Sequence, residues 1–134
     1  MTLPKIAAGL GCDRGTPFAT VAQVLDEALA QAGVEASQLA VIATIEAKAD
    51  EAAFLELAAA RDLPLRFYSA AQLAAVEVPN PSETVRRYMG TPSVCEAAAL
   101  LAANAGADAL VIEKHKLRGP DGRNATVSLA RFSE

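Results

Sequence analysis

The stretch that decides the fold is Ile6-Ala7-Ala8-Gly9-Leu10-Gly11-Cys12-Asp13-Arg14-Gly15-Thr16. Its apolar half predicts a buried strand over Lys5–Leu10, and a helical pattern begins near Pro17. Glycines between a strand and a helix let backbone N–H groups approach a ligand closely, and the helix N-terminus adds a partial positive charge. We therefore expect the loop Gly9–Thr16 to bind an anion, either a phosphate or a carboxylate.

Helices and strands alternate along the first half of the chain. Thr16 or Thr20 is expected to cap a helix that has Pro17 in its first turn and ends at Gly33. The next elements are predicted over Leu39–Thr44 (a strand), from Asp50 to Arg61 (a helix), over Leu65–Tyr68 (a strand) and from Ser69 to Leu73 (a short helix).

The second half begins with a loop, Val76–Ser82, because its two prolines exclude a regular helix. Ser93 and Glu96 have the S-x-x-E form of a capping box at the start of an alanine-rich helix. The remaining predictions are a short helix from Ser82 to Tyr88, the end of the alanine-rich helix near Asn104 with Gly106 as its stop, a strand over Ala109–Ile112, a turn at Pro120-Asp121-Gly122 and a strand over Thr126–Phe132.

This alternation predicts an α/β fold built as a single three-layer domain over residues 1–134. We expect a mixed, mostly parallel sheet of about five strands with helices on both faces. The last two strands are expected to form a C-terminal antiparallel hairpin, because a short turn joins them.

Composition excludes several classes of function. The chain has 134 residues, a net charge of −4 and only 4% aromatic residues, which argues against a partner nucleic acid. Its two cysteines, Cys12 and Cys95, lack the spacing of a metal site. No apolar run reaches the ~18 residues that span a membrane, and no signal peptide is recognisable. We expect a cytoplasmic protein with no metal, no cofactor and no membrane contact.

Ligands of open α/β sheets bind beyond the carboxyl ends of the strands. Three segments are expected to meet at that edge: the Gly9–Thr16 loop, Thr44–Lys48 after the second strand and Glu113–Lys116 after the fourth. The start of the helix at Ser93 is expected to lie with these segments if the connection that leads into the helix ends at the same edge of the sheet.

The dinucleotide fingerprint does not fit this edge well. G-x-G-x-x-G requires glycine at position 14, where Arg14 stands, and the third glycine comes one residue later, at Gly15. A polycarboxylate ligand fits better, because Arg14 and Lys48 lie in short loops beside predicted helix starts. Three other cations, Lys116, Arg118 and Arg123, are interpreted as solvated residues of the hairpin.

Two residues are candidates for catalysis. Cys12 is a possible nucleophile, because a helix N-terminus and Arg14 are expected to lower the pKa of its thiol, although a packing role is commoner. Glu46 is the candidate acid or base. His115 is interpreted as an exposed residue at a strand end, and Glu96 as the acid of the capping box.

Several segments together resemble one family, the C-terminal domain of CbiG and the stand-alone CobE of cobalamin biosynthesis. The matching segments are Gly9–Thr16, Thr44–Glu51, Pro81–Val85, Gly90–Leu100, Lys114 and Thr126–Ala130. Their order and spacing cover nearly the whole chain, which makes the match specific. Since the chain has no additional N-terminal region, the resemblance points to the stand-alone form.

The resemblance implies a protein that binds a precorrin or corrin intermediate as a carrier or as a partner of other enzymes of the cobalamin pathway. In that family CbiG opens the ring-A lactone of cobalt-precorrin-5A. A precorrin hydrolase or lyase is therefore the alternative, and a nucleotide-binding module is a remote third. An apolar wall for the ring is expected at Val76–Pro81. The expected ligand-binding residues are Gly9, Gly11, Cys12, Arg14, Gly15, Thr16, Thr44, Glu46, Lys48, Ser93, Cys95, Glu96 and Lys114.

Overall fold

The computed structural model describes residues 4–76 and 94–132. Five strands form one sheet in the order β3-β2-β1-β5-β4. They are β1 (Ile6–Cys12), β2 (Leu39–Ile45), β3 (Leu65–Tyr68), β4 (Leu110–Arg118) and β5 (Asn124–Arg131). β1, β2 and β3 are parallel, whereas β5 runs antiparallel to both β1 and β4. The predicted mixed sheet with a C-terminal hairpin is confirmed.

Within the described residues, four α-helices cover the two faces of this sheet. They are α1 (Phe18–Ala32), α2 (Ala52–Arg61), α3 (Ala70–Ala74) and α4 (Val94–Ala103). On the α1 face, Ala8 and Leu10 of β1 pack with α1 and with Phe54 of α2. On the opposite α4 face, Ala7 packs with Leu100 of α4. The predicted three layers are confirmed, and the alternation of side chains along β1 separates the two cores.

α4 lies unusually close to β1 at one position. A Cβ atom on Gly9 would stand 1.8 Å from the carbonyl oxygen of Cys95 and 2.7 Å from the backbone nitrogen of Ala99. Only glycine fits there, because both neighbours are backbone atoms of a helix and cannot rotate away. Gly9 therefore determines how closely α4 packs on the sheet.

Several predicted boundaries were wrong. β1 extends through Cys12, so Gly11 and Cys12 belong to a strand rather than to a loop. Pro17 takes the N-cap position of α1 without any side-chain cap, so neither Thr16 nor Thr20 caps that helix. α4 ends in front of Asn104 as predicted, but the residue that stops it is Asn104, in the left-handed conformation (φ 54°), rather than Gly106. An Asn side chain tolerates that conformation better than most residues do.

Other predicted boundaries were confirmed. β3 matches its predicted range, and Gly33 ends α1 with φ 68°. Ser69 caps α3 through a capping box in which its hydroxyl accepts the N–H of Gln72. α2 ends at Arg61 as predicted but begins at Ala52, two residues later than expected, and a 3-10 turn over Glu46–Lys48 lies between it and β2. The predicted loop Val76–Ser82 and the predicted helix from Ser82 to Tyr88 lie almost wholly outside the described residues.

Candidate functional site

The loops that follow β1 and β2 are joined by the side chain of Arg14. Its Nη2 donates to the carbonyl oxygen of Ala47 at 2.9 Å. Its Nη1 donates to Asp50 Oδ1 at 2.8 Å and to Glu51 Oε2 at 3.0 Å. These contacts confirm that the two loops meet at the carboxyl edge of the sheet. They also mean that the cation predicted to bind a ligand has acidic partners within the chain.

Glu51 completes this arrangement from inside the protein. Its side chain is only 4% exposed, and its Oε1 accepts the backbone N–H of Gly15 at 2.9 Å. A loop amide that was expected to receive an external anion therefore donates to the protein's own carboxylate. We call Arg14, Gly15, Ala47, Asp50 and Glu51 the loop interlock.

The role of Glu51 was not predicted from the sequence. Glu51 was expected to lie in the first turn of the helix predicted from Asp50 to Arg61, where an acidic residue is favourable. Its partner Gly15 lies 36 positions earlier in the chain. The only signal in the sequence was an acid and a cation in two loops that were expected to share one sheet edge.

The loop interlock also changes the pKa of Asp50, its exposed acidic residue. The hydrogen bond from Arg14 lowers the pKa of the Asp50 carboxyl, and the positive charge of the guanidinium lowers it further. The same hydrogen bond raises the pKa of Arg14. Since the Asp50 side chain is 82% exposed, this part of the interlock is open to exchange with a ligand carboxylate.

Cys12 is half-buried at the end of β1, beside the partly buried hydrophobic residues of the α1 face. Burial raises the pKa of its thiol, and the nearby ammonium of Lys48 lowers it only in part. The carboxylate of Glu51 acts in the same direction as burial. The expectation that Arg14 and the α1 N-terminus would lower this pKa was wrong, because desolvation is the larger effect.

Two predicted ligand residues hold the backbone of the loops instead. Thr16 is buried, and its hydroxyl donates to the carbonyl oxygen of Asp13 at 2.6 Å. Thr44 is fully buried, and its hydroxyl donates to the carbonyl oxygen of Leu10 at 2.8 Å. Both hydroxyl protons therefore have acceptors within the chain.

Glu46 and Lys48 occupy the 3-10 turn that follows β2. Glu46 is exposed, and Lys48 is half-buried. Both lie at the predicted edge, and their roles as base and ligand cation stay predictions.

The other half of the predicted site lies on the α4 face. The thiol of Cys95 is fully buried and accepts a hydrogen bond from the Ser128 hydroxyl at 3.1 Å. This burial raises the pKa of the thiol. The Glu96 carboxylate, with its side chain 2% exposed, lies 3.6 Å from Lys114 Nζ. The structure thus brings Cys95, Glu96 and Lys114 together beside Gly9, on the opposite side of the sheet from the α1 face.

The segment Glu113–Lys116 is not a loop after the fourth strand, as predicted, because β4 runs on to Arg118. His115 was also wrongly predicted to be exposed. It lies on the α1 face, where its Nε2 is 2.8 Å from Glu27 Oε1 and its Nδ1 is 3.2 Å from Gln31 Nε2. The hydrogen bond with His115 lowers the pKa of Glu27.

Ser93, the predicted cap of α4, lies outside the described residues, as does most of the predicted apolar wall at Val76–Pro81. Within residues 4–76 and 94–132, no helix is long and apolar enough to cross a membrane. The same residues contain no group of three or more His, Cys, Asp or Glu side chains that could hold a metal ion.

Comparison with known proteins agrees with this geometry. Residues 6–130 match the family model described as "Cobalamin synthesis G C-terminus". "Protein CobE" of Sinorhizobium sp is 41% identical over 109 residues, which make up 80% of this chain and 70% of that protein. The cobalt-precorrin-5A hydrolase of Priestia megaterium is 36% identical over 128 residues, and this chain spans only 32% of its length.

A solved structure extends the agreement to three dimensions. The crystal structure of CobE, from the cobalamin biosynthetic pathway, superimposes with a TM-score of 0.77 at 31% identity. The match covers 99% of this chain and 96% of that one. The arrangement of strands and helices described above is therefore that of a known fold.

Proposed function

The chain belongs to the cobalamin synthesis G C-terminal family, and from this premise we propose that it binds a precorrin or corrin intermediate during cobalamin biosynthesis. The ligand class is a macrocycle that carries several carboxylate side chains. The protein acts on it as a carrier or as the partner of an enzyme of the pathway.

One observation carries the proposal: cations are concentrated along β4 and the turn that follows it in an acidic protein. The net charge of the chain is −4, yet the segment from Lys114 to Arg123 holds four Lys or Arg residues and one Asp. The partly buried residue Lys48 adds a further cation after β2. A local positive field of this kind attracts a small polycarboxylate and raises its rate of association.

The expected ligand residues differ in whether their polar groups are free to contact a ligand. Arg14 can exchange its exposed partner Asp50 for a ligand carboxylate while Ala47 and Glu51 keep the guanidinium in place. Lys114 can reach a ligand carboxylate from the α4 face. Residues whose polar groups already have internal partners, namely Gly15, Thr16, Thr44 and Cys95, would shape the site rather than contact the ligand.

A binding titration tests the proposal. Hydrogenobyrinic acid is titrated into the protein at low salt, and the change in its visible absorption is followed. We expect saturable binding that weakens as salt rises, because exposed charges are screened over about 10 Å at 0.1 M salt. The fully methyl-esterified ring serves as the control, and it should bind much more weakly. Absence of a saturable signal with the free acid would overturn the proposal.

The alternative of a precorrin hydrolase or lyase gains no specific support from the candidate catalysts. Burial raises the pKa of the Cys12 thiol, which disfavours the nucleophilic thiolate at neutral pH. Glu46 is exposed on its turn. A turnover assay on a precorrin substrate decides the matter: product formation that is lost in Cys12→Ala or Glu46→Gln would favour the enzyme. The remote nucleotide-binding alternative is tested by titration with ATP.

A further inference from the structure

We propose that the carboxylates of the ligand bind on the α4 face along β4, at Lys114, Lys116 and Arg118, which we call the cation row. This inference rests on the proposed function, since it assigns the face and the residues that would recognise a polycarboxylate macrocycle. It also gives a binding role to Lys116 and Arg118, for which the sequence had indicated only solvated positions in the hairpin.

The pairing of β4 with β5 places the row on one face. Lys116 stands opposite Thr126, and Arg118 stands opposite Asn124. Directly opposed residues of antiparallel strands share a face of the sheet. Thr126 lies on the α4 face, because it stands two residues before Ser128 in β5, and the Ser128 hydroxyl contacts the Cys95 thiol of α4. Lys116 therefore belongs to the α4 face as well.

The neighbours of the row confirm this assignment. Lys114 reaches Glu96 of α4, which shows that it also projects from the α4 face. The residues between the three cations alternate to the other side: His115 contacts Glu27 of α1, and Leu117 packs against the core of the α1 face. The three cations thus lie at every second residue of one strand, about 7 Å apart along the chain.

Two of these cations have no acidic partner within residues 4–76 and 94–132. Lys116 and Arg118 are exposed and form no ion pair there, whereas Arg14 and Arg123 do form ion pairs with neighbouring acids. Lys114 shares its charge with Glu96. Lys116 and Arg118 therefore supply the uncompensated positive charge of the row.

The sheet beside the row presents small residues. Gly11 of β1 and Thr126 of β5 face each other across the strands, and a Cβ atom on Gly11 would stand 2.7 Å from the Thr126 hydroxyl oxygen. Both residues are only partly buried, whereas Gly9, one step further along β1, lies beneath Cys95 of α4. A flat ring can therefore approach the backbone at Gly11 with its carboxylate arms directed towards β4.

A macrocyclic polycarboxylate fits this surface better than an extended polyanion does. Its arms radiate from a rigid ring, so that binding of one arm raises the effective concentration of the others at neighbouring cations. A nucleic acid would have to approach a protein of net charge −4 with few aromatic side chains for stacking. The positive charge of the cation row and the small residues beside it therefore favour a macrocyclic polycarboxylate over a nucleic acid.

The test compares two double variants of equal charge. K116Q/R118Q removes the uncompensated cations of the row, and K5Q/R66Q removes one exposed lysine and one exposed arginine elsewhere. Both are titrated with hydrogenobyrinic acid at low salt. We expect K116Q/R118Q to bind about tenfold more weakly, and K5Q/R66Q to stay within about twofold of the unsubstituted protein. Thermal unfolding of both variants checks that the fold is intact.

Each result decides something different. If the unsubstituted protein does not bind the ring, the proposed function and this inference both fail. If it binds and K116Q/R118Q binds equally well, the cation row is the wrong site while the proposed function stands. If ATP binds as tightly as the ring and is weakened by the same factor in K116Q/R118Q, the row is a general polyanion site and its assignment to the macrocycle is wrong.

Discussion

The loop interlock and the cation row lie at the same edge of the sheet but use their charges in opposite ways. In the interlock, Arg14 contacts two carboxylates of the chain, and Glu51 also accepts the N–H of Gly15. In the row, Lys116 and Arg118 have no acidic partner among the described residues. The sequence alone favoured the reverse order, with Arg14 as the ligand cation and the hairpin cations as solvent-exposed.

The comparison of the interlock with the cation row shows that a cation in a glycine-rich loop is not always available to a ligand. Short loops at a parallel sheet edge lie side by side, so an acid in one loop readily neutralises a cation in the next. An edge strand has a neighbouring strand on one side only, and its outward cations meet fewer acids. Availability therefore follows from tertiary neighbours rather than from the local motif.

The largest expected effect on stability comes from substitution of Gly9, which allows α4 to pack closely on β1. Gly9→Ala places a methyl group 1.8 Å from the carbonyl oxygen of Cys95, so α4 must move away from β1. We expect the free energy of unfolding to fall by about 3 kcal/mol or more. Urea denaturation measures this change.

Gly106→Ala is the matched control for that substitution. Its added Cβ would meet only the Asp108 carboxylate at 3.4 Å, and Gly106 does not have a positive φ. We expect a change of less than about 1 kcal/mol. Equal unfolding midpoints for the two variants would contradict the conclusion that α4 packs too closely on β1 at Gly9 to admit a side chain.

The interlock is tested by Glu51→Ala. This substitution removes a buried carboxylate that accepts both the Gly15 N–H and one N–H of Arg14, so two charge-assisted hydrogen bonds are lost. We expect a loss of roughly 2 kcal/mol in the free energy of unfolding. Asp50→Ala removes the other acid of Arg14, but its side chain is 82% exposed, so its effect should be much smaller. The interlock hypothesis fails if Asp50→Ala is the more damaging of the two.

The smallest effect concerns thiol reactivity near neutral pH. Burial raises the pKa of both Cys12 and Cys95 above the ordinary value of 9.0. A raised thiol pKa means less thiolate at pH 7, so iodoacetamide should label Cys12 more slowly than it labels glutathione. The rate should keep rising as the pH passes 9.0, and Cys95 should be labelled only after unfolding.

Peptide mapping by mass spectrometry after timed labelling measures these rates. Labelling in urea provides the control, because both thiols are then fully exposed. Labelling of Cys12 at pH 7 that is faster than that of glutathione would contradict the raised pKa and revive its role as a nucleophile.

Much of the fold could be predicted from the sequence, because periodicity and turn residues are local signals. β3 and the turn Pro120–Gly122 agree with their predicted positions, and Gly33 ends α1 as expected. The errors fall where strands continue into polar sequence. β4 runs through Glu113–Lys116, and β1 runs through Cys12, because hydrogen bonds to β5 support residues whose own composition is typical of a loop.

The sequence by itself determined the order of strands and helices along the chain and membership of the cobalamin synthesis G C-terminal family. Only the tertiary structure decided which charges are neutralised, which face each cation occupies and how deeply each thiol is buried. The physical reason is that these properties depend on partners distant in the chain. Glu51 meets Gly15 across 36 positions, and Lys116 is assigned to a face only by its pairing with Thr126.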